Sequence, residues 1–220
     1  FFTSVDLLFL IILGGLWGSF ANVCIVRMPK DKGVVSGRSN CPKCKKQISW
    51  KDNIPIISYF LLGGKCRKCK KPISFRYVVV ELLSIISFVL IYYLFALSWT
   101  TLLLIFLSLG FMIIFFIDLE HFIIPNLVTF PLMAIGFLKS FIPDLDPIFP
   151  NYIMSLIGGI FGYGIIWAII FFYKQVKNKE GMGLGDAKLL AVIGFWFGFD
   201  AIPFIISVSY THLRAHETSR

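Results

Sequence analysis

Long uncharged runs alternate with polar stretches along this chain. Residues 7–26 carry no charge, and neither do residues 82–117, 122–138 and 147–173. A bilayer-spanning helix needs about 20 mostly apolar residues. The run from 82 to 117 is too long for one span and predicts a tight hairpin that turns near Ser98, Trp99 and Thr100. Two shorter apolar segments, 189–199 and 201–213, are separated by Asp200. The pattern predicts an all-α polytopic membrane protein with six or seven transmembrane helices. Its organisation reads as a first membrane helix (1–27), a polar insertion (28–76), a membrane core (77–208) and a tail (209–220).

Composition agrees with this pattern. Of the 220 residues, 57% are hydrophobic and only 15% are charged, which excludes an ordinary soluble domain. The first apolar run lacks both a basic stretch before it and a small-residue cleavage site after it, so it reads as a permanent helix rather than a signal peptide. The chain begins without Met and is expected to be trimmed there.

Charge then orients the helices. Of 21 Lys and Arg, 14 lie between Arg27 and Arg76, and Lys174, Lys177, Lys179 and Lys188 flank a later loop. The positive-inside rule places both loops in the cytoplasm and the N-terminus outside. Orientation accounts for the net charge of +9, so the bilayer is the expected partner and nucleic acid is not. Asp118, after the long uncharged run, and Asp186, after Gly183-Leu184-Gly185, then fall on the same membrane face. Ionisable groups at such positions are functional hypotheses by default.

The insertion contains a repeat: Cys41-Pro42-Lys43-Cys44-Lys45-Lys46-Gln47-Ile48-Ser49-Trp50 is echoed by Cys66-Arg67-Lys68-Cys69-Lys70-Lys71-Pro72-Ile73-Ser74-Phe75. The spacing predicts two similar turns that present four thiolates to one ion, a closed structural zinc site of zinc-ribbon type on Cys41, Cys44, Cys66 and Cys69. Iron and free thiols are the alternatives. Disulfides do not suit a reducing cytoplasm. Cys24, in the first helix, reads as a packing residue. Residues 54–62 are apolar enough to lie on the membrane or cover the cysteine site. Residues 209–220 break the membrane pattern and are expected to be a non-native tail, with one or two helices missing beyond it; His212 and His216 get no functional weight.

The two aspartates also have ordinary readings. Asp118 could be a solvated charge at a helix end, where the dipole disfavours an anion. Asp186 could be a common first-turn acidic residue. Gly183 and Gly185 would support that loop by letting backbone approach a substrate or take unusual φ. A metal role for Asp118 with His121 is a lesser option. Gly14, Gly15 and Gly18, and Gly158 with Gly162, read as sites of close helix approach. Asn22 and Glu81 read as polar packing or interface residues.

Taken in order, these motifs resemble the bacterial type IV prepilin peptidases, membrane aspartyl proteases of the GxGD type. The resemblance runs through Gly18-Ser19-Phe20-Ala21-Asn22-Val23, Arg27-Met28-Pro29, the four cysteines, Ile73-Ser74-Phe75-Arg76-Tyr77 with Glu81-Leu82-Leu83, and Ile117-Asp118 ahead of Ile124-Pro125-Asn126. It ends in Met182-Gly183-Leu184-Gly185-Asp186-Ala187-Lys188-Leu189. Val78 departs from it, standing where the family often has proline.

The resemblance implies a bacterial inner-membrane endopeptidase with catalytic Asp118 and Asp186. It would remove the leader from type IV prepilins or pseudopilins at the cytoplasmic face. It also implies N-methylation of the new terminus by S-adenosylmethionine; no glycine-rich fingerprint in the chain points to a methyl-donor site independently. In the expected chemistry one carboxylate takes a proton from water while the other donates to the scissile carbonyl. Helix-end placement favours Asp186 as the anion and Asp118 as the acid. The rival readings are a non-catalytic membrane zinc scaffold of a pilus or secretion assembly, and a proton or ion transporter.

Overall fold

A computed structural model describes residues 4–34, 39–41, 43–142, 145, 147–177 and 183–207. The described residues hold seven α-helices: α1 (Ser4–Arg27), α2 (Ile57–Leu61), α3 (Arg76–Phe95), α4 (Trp99–His121), α5 (Asn126–Leu138), α6 (Tyr152–Lys177) and α7 (Leu184–Phe197). Residues 201–207 are also helical. Four helices are long and apolar enough to cross a membrane: Val5–Lys30, Arg76–Phe95, Trp99–His121 and Tyr152–Lys177. The chain is therefore a multi-pass membrane protein. The expected tail, with His212 and His216, lies outside the described residues.

The chain forms two compact units, 1–123 and 124–220. In the first, α1 packs against α3, and α4 packs on both. Small residues set the α1–α3 approach. A Cβ on Gly14 would lie 2.8 Å from the Ile85 Cα, and one on Gly18 would lie 2.7 Å from the Glu81 Cα. The turn between α3 and α4 falls at 96–98, where the Ser98 hydroxyl accepts the Thr101 N–H at 3.2 Å and starts α4. The hairpin brings Arg76, the first residue of α3, to Glu120 in the last turn of α4, where they form an ion pair. The Asp118 end of α4 is thus the end of this unit that carries the cysteine insertion.

In the second unit, α6 and α7 are antiparallel and nearly touch backbone to backbone. A Cβ on Gly158 would lie 2.6 Å from the Gly194 carbonyl oxygen, and one on Gly194 would lie 2.1 Å from that of Gly158. Ser155 donates to the Phe195 carbonyl at 2.7 Å. The large side chains of α6, such as Ile160, Phe161 and Phe172, stay exposed, as suits a helix in lipid that uses small residues for its protein contact. α5 runs parallel to α7: Lys188 donates to Asn126 at one end, and Trp196 Nε1 donates to the Leu132 carbonyl further along.

Two boundaries differ from the apolar runs. α5 begins at Asn126 rather than 122, because residues 123–125 are non-helical and Pro125 supplies an extended N-cap. α7 begins at Leu184, five residues before its apolar run, and ends at Gly198 (φ 81). Its 14 residues span about 21 Å at about 1.5 Å per residue, short of a hydrocarbon core of about 30 Å.

Candidate active site and metal centre

Asp118 lies in the last turn of α4. Phe122 adopts a left-handed conformation (φ 54) and donates its N–H to the Asp118 carbonyl at 2.8 Å, which closes the helix. Ile117 before it is fully buried, whereas the Asp118 side chain is exposed. A carboxylate held at a helix C-terminus faces unfavourable partial charge, so this position gives the anion no help from its own helix.

Asp186 occupies the opposite kind of site. Gly183 is the N-cap of α7 and Asp186 sits in the first turn, half-buried, where the dipole favours an anion. Gly183 has φ −80, and a Cβ there would meet the Gly185 nitrogen at an ordinary 3.9 Å, so no unusual backbone conformation explains that glycine. Gly185 is different: a Cβ there would lie 3.0 Å from the Ile124 Cδ1, so this glycine lets the start of α7 pack against the segment leading into α5. Lys188 Nζ donates to Asn126 Oδ1 at 2.7 Å and pins the same two helix starts together. The two aspartates belong to different units of the fold, each at its unit's basic end. Asp118 shares its end with the insertion, and Asp186 shares its end with Lys188 and the Lys174–Lys177 end of antiparallel α6.

The four insertion cysteines converge. All four Sγ atoms lie within 4.8 Å of one another, with Cys41 and Cys69 at 3.9 Å, and none is in a disulfide. Zinc–thiolate bonds of about 2.3 Å place tetrahedral sulfurs about 3.8 Å apart, so the thiols already have the spacing of a four-thiolate shell. Among the described residues this is the one group of three or more potential metal ligands, and Asp118 with His121 does not form another.

The sequence repeat is a structural repeat. The Cys41 N–H meets the Lys46 carbonyl and the Cys66 N–H meets the Lys71 carbonyl, each at 2.9 Å. Lys45 (φ 57) and Lys70 (φ 56) take matching left-handed conformations. Matching bridges join Asn40 to Gln47 and Lys65 to Pro72. In the second turn, backbone N–H groups of Cys69 and Lys68 hold the Cys66 thiol down to about 7, which favours the metal-binding thiolate. Asp52 joins the two halves of the insertion by accepting from Arg67 Nε and Nη2 at 2.7–3.0 Å, which holds its carboxyl below the usual range.

Two residues read from sequence as packing groups do more. Asn22, 3% exposed, donates Nδ2 to the Tyr77 carbonyl at 3.0 Å, and its Oδ1 has no partner. Glu81, 8% exposed, accepts the Ile56 N–H at 2.8 Å. Both line a cavity of about 860 Å³ between the insertion and the ends of α1 and α3. Their position in apolar helices was the available signal, but the hydrogen-bond partners come from distant segments.

The comparisons with known proteins match this layout. Residues 12–95 match the Bacterial Peptidase A24 N-terminal domain, and residues 104–213 match the Type IV leader peptidase family. The chain is 33% identical to a prepilin leader peptidase/N-methyltransferase of Pseudomonas aeruginosa, over 90% of this chain and 75% of that protein. It is 36% identical to the protein of that name from Neisseria gonorrhoeae (90% and 76%) and 37% identical to the one from Klebsiella pneumoniae (89% and 86%). No solved structure matches the chain. With both halves matched in order and most of each relative's length covered, the chain belongs to the type IV leader peptidase family.

Proposed function

We propose that Asp118 and Asp186 form the catalytic pair of a membrane aspartyl endopeptidase. The enzyme removes leader peptides from type IV prepilins or pseudopilins, and N-methylates the exposed terminus. The observation that carries the residue assignment is that both aspartates fall inside the segment matched to the Type IV leader peptidase family, each at a helix end on its unit's basic side. That side faces the cytoplasm of a bacterial inner membrane, in line with the positive-inside rule. A substrate with an apolar helix behind a basic leader reaches it laterally from the bilayer.

In this reading the ionised carboxylate draws a proton from water and the protonated one donates to the scissile carbonyl. The favourable helix N-terminus assigns the anion to Asp186, and the unfavourable C-terminus assigns the acid to Asp118. Gly183, as N-cap, and Gly185, packed on Ile124, set the start of α7 beside Asp186. The cysteine cluster holds structural zinc: four thiolates at tetrahedral spacing leave no open position for a substrate. S-adenosylmethionine is the methyl donor.

Co-expression with a prepilin tests the assignment. The unaltered chain is expected to shorten the prepilin by its leader, and Asp186→Asn is expected to leave it full-length while inserting normally. Full processing by Asp186→Asn would overturn the catalytic pair.

A further inference from the structure

Part of the insertion descends alongside the membrane helices of unit 1. A Cβ on Gly15 would lie 3.2 Å from the Pro55 Cβ and 3.7 Å from the Ile85 Cδ1, so Pro55 sits at the depth of those two residues. Ile85 follows Arg76, the first residue of α3, by nine positions (85 − 76). At about 1.5 Å per residue that is about 13 Å along the helix, most of the way to the middle of a hydrocarbon core about 30 Å thick. Arg76 pairs with Glu120 at the end of α4, and charges of this kind mark the edge of the bilayer rather than its interior. Residues 54–64 carry no charge, while Lys51 and Lys65 flank them.

Backbone at such a depth has to satisfy its polar groups within the protein, since lipid offers no partner. This segment does so. Pro55 has no N–H to satisfy. The Ile56 N–H donates to the buried Glu81 carboxylate at 2.8 Å. The Ile57 N–H bonds to the Pro55 carbonyl, the Ser58 N–H to that of Ile54, and the Tyr59 and Phe60 N–H groups to that of Ile56. Ile56, with φ 61 and ψ −53, forms the γ-turn at which the chain reverses into α2. That conformation is rare and costly for a β-branched residue, and Glu81 holds it in place. The carboxylate in an apolar helix here replaces the water that an exposed turn would use.

The short helix α2 divides by face. Ser58 is buried and donates to the Ile54 carbonyl, and Tyr59 packs its ring against Phe75. Ile57, Phe60 and Leu61 share the other face, spaced i, i+3 and i+4, and are 56%, 65% and 79% exposed. We propose that residues 54–62 form a re-entrant segment whose Ile57, Phe60 and Leu61 face phospholipid acyl chains in the leaflet next to the insertion. Lys51 and Lys65 extend from its two ends to the headgroups of that leaflet. Exposed Trp50, with Lys51 Nζ 5.6 Å from its ring centroid, sits at the membrane–water interface. The four-cysteine fold is thereby seated on the bilayer by its own chain, whichever side of the membrane it faces.

Labelling from the lipid phase tests this. The unaltered full chain is reconstituted in vesicles of phosphatidylethanolamine and phosphatidylglycerol that include a phospholipid with a diazirine on its acyl chain. After irradiation and digestion, labelled residues are mapped by mass spectrometry. Label is expected on residues 57–61, as on exposed Ile86 and Leu90 of α3, at least about tenfold above that on the exposed lysines of the first cysteine turn, residues 43–46. Label on 57–61 no higher than on 43–46 would overturn the proposal. A second arm places p-benzoylphenylalanine at Phe60 in the same vesicles. A phospholipid adduct is expected there; an adduct to a second copy of the chain in its place would make this face a protein interface and overturn the lipid contact. Neither arm involves Asp118 or Asp186, so the catalytic reading stands or falls separately.

Discussion

Lys139 shows most plainly what a single residue can hide. It is 1% exposed, with Nζ 4.1 Å from the Phe149 ring centroid and 5.6 Å from that of Trp196. Nζ has no hydrogen-bond partner. Aromatic faces return about 2 kcal/mol to a desolvated cation, whereas burying an unpaired charge costs several. Lys139→Met keeps the stem's packing and removes the charge. It is expected to leave thermal stability unchanged or raised in detergent; a loss above about 2 kcal/mol would show that the cation–aromatic contact outweighs desolvation. Asn22 and Glu81 teach a related lesson. Their cost in an apolar helix was visible in the sequence, but their partners Tyr77 and Ile56 were not, since tertiary contacts 55 and 25 positions apart leave no local pattern.

At the scale of elements, close helix approach sets a sharp test. Gly194→Ala would place a methyl 2.1 Å from the Gly158 carbonyl oxygen, with rigid backbone on both sides. Overpacking of this kind costs about 1–3 kcal/mol, so the variant is expected to melt earlier, whereas Ala at Gly164, which has open space, is expected to be neutral. Equal melting of the two would contradict the packing. The insertion provides a second test. Removing metal with a chelator, or Cys41→Ser, is expected to make residues 39–76 protease-sensitive while α3 and α4 stay protected; an unchanged digestion pattern would contradict a metal-held fold. Metal binding releases thiol protons. Protons compete with the ion for all four thiolates, so metal retention is expected to weaken as pH falls, checked by metal content after dialysis at stepped pH.

The long helices, the hairpin turn and the paired cysteine turns were legible because each follows from local periodicity or spacing. The start of α7 was not, because Leu184 to Lys188 reads as a polar loop until Gly185 packs on Ile124. Nor was the γ-turn at Ile56, since no local residue preference predicts a positive φ for isoleucine.

For the whole molecule, topology and chemistry are tied. The distribution of Lys and Arg predicts that Ser98→Cys, in the α3–α4 turn, reacts with an impermeant thiol reagent added outside intact cells, and that Lys177→Cys reacts only after the membrane is opened. The reverse pattern would put the aspartates on the wrong face for a cytoplasmic leader. Charge is what carries this proposed orientation. The proposed joint action of Asp118 and Asp186 rests on the family's motifs, since 68 positions and two compact units separate them. The most direct measurement is the rate of leader cleavage by purified chain carrying Asp118→Asn, with metal content and melting matched to the unaltered protein. A catalytic pair predicts a fall of about three orders of magnitude or more, as for other groups that act as a unit. Cleavage within tenfold of the unaltered rate would contradict it.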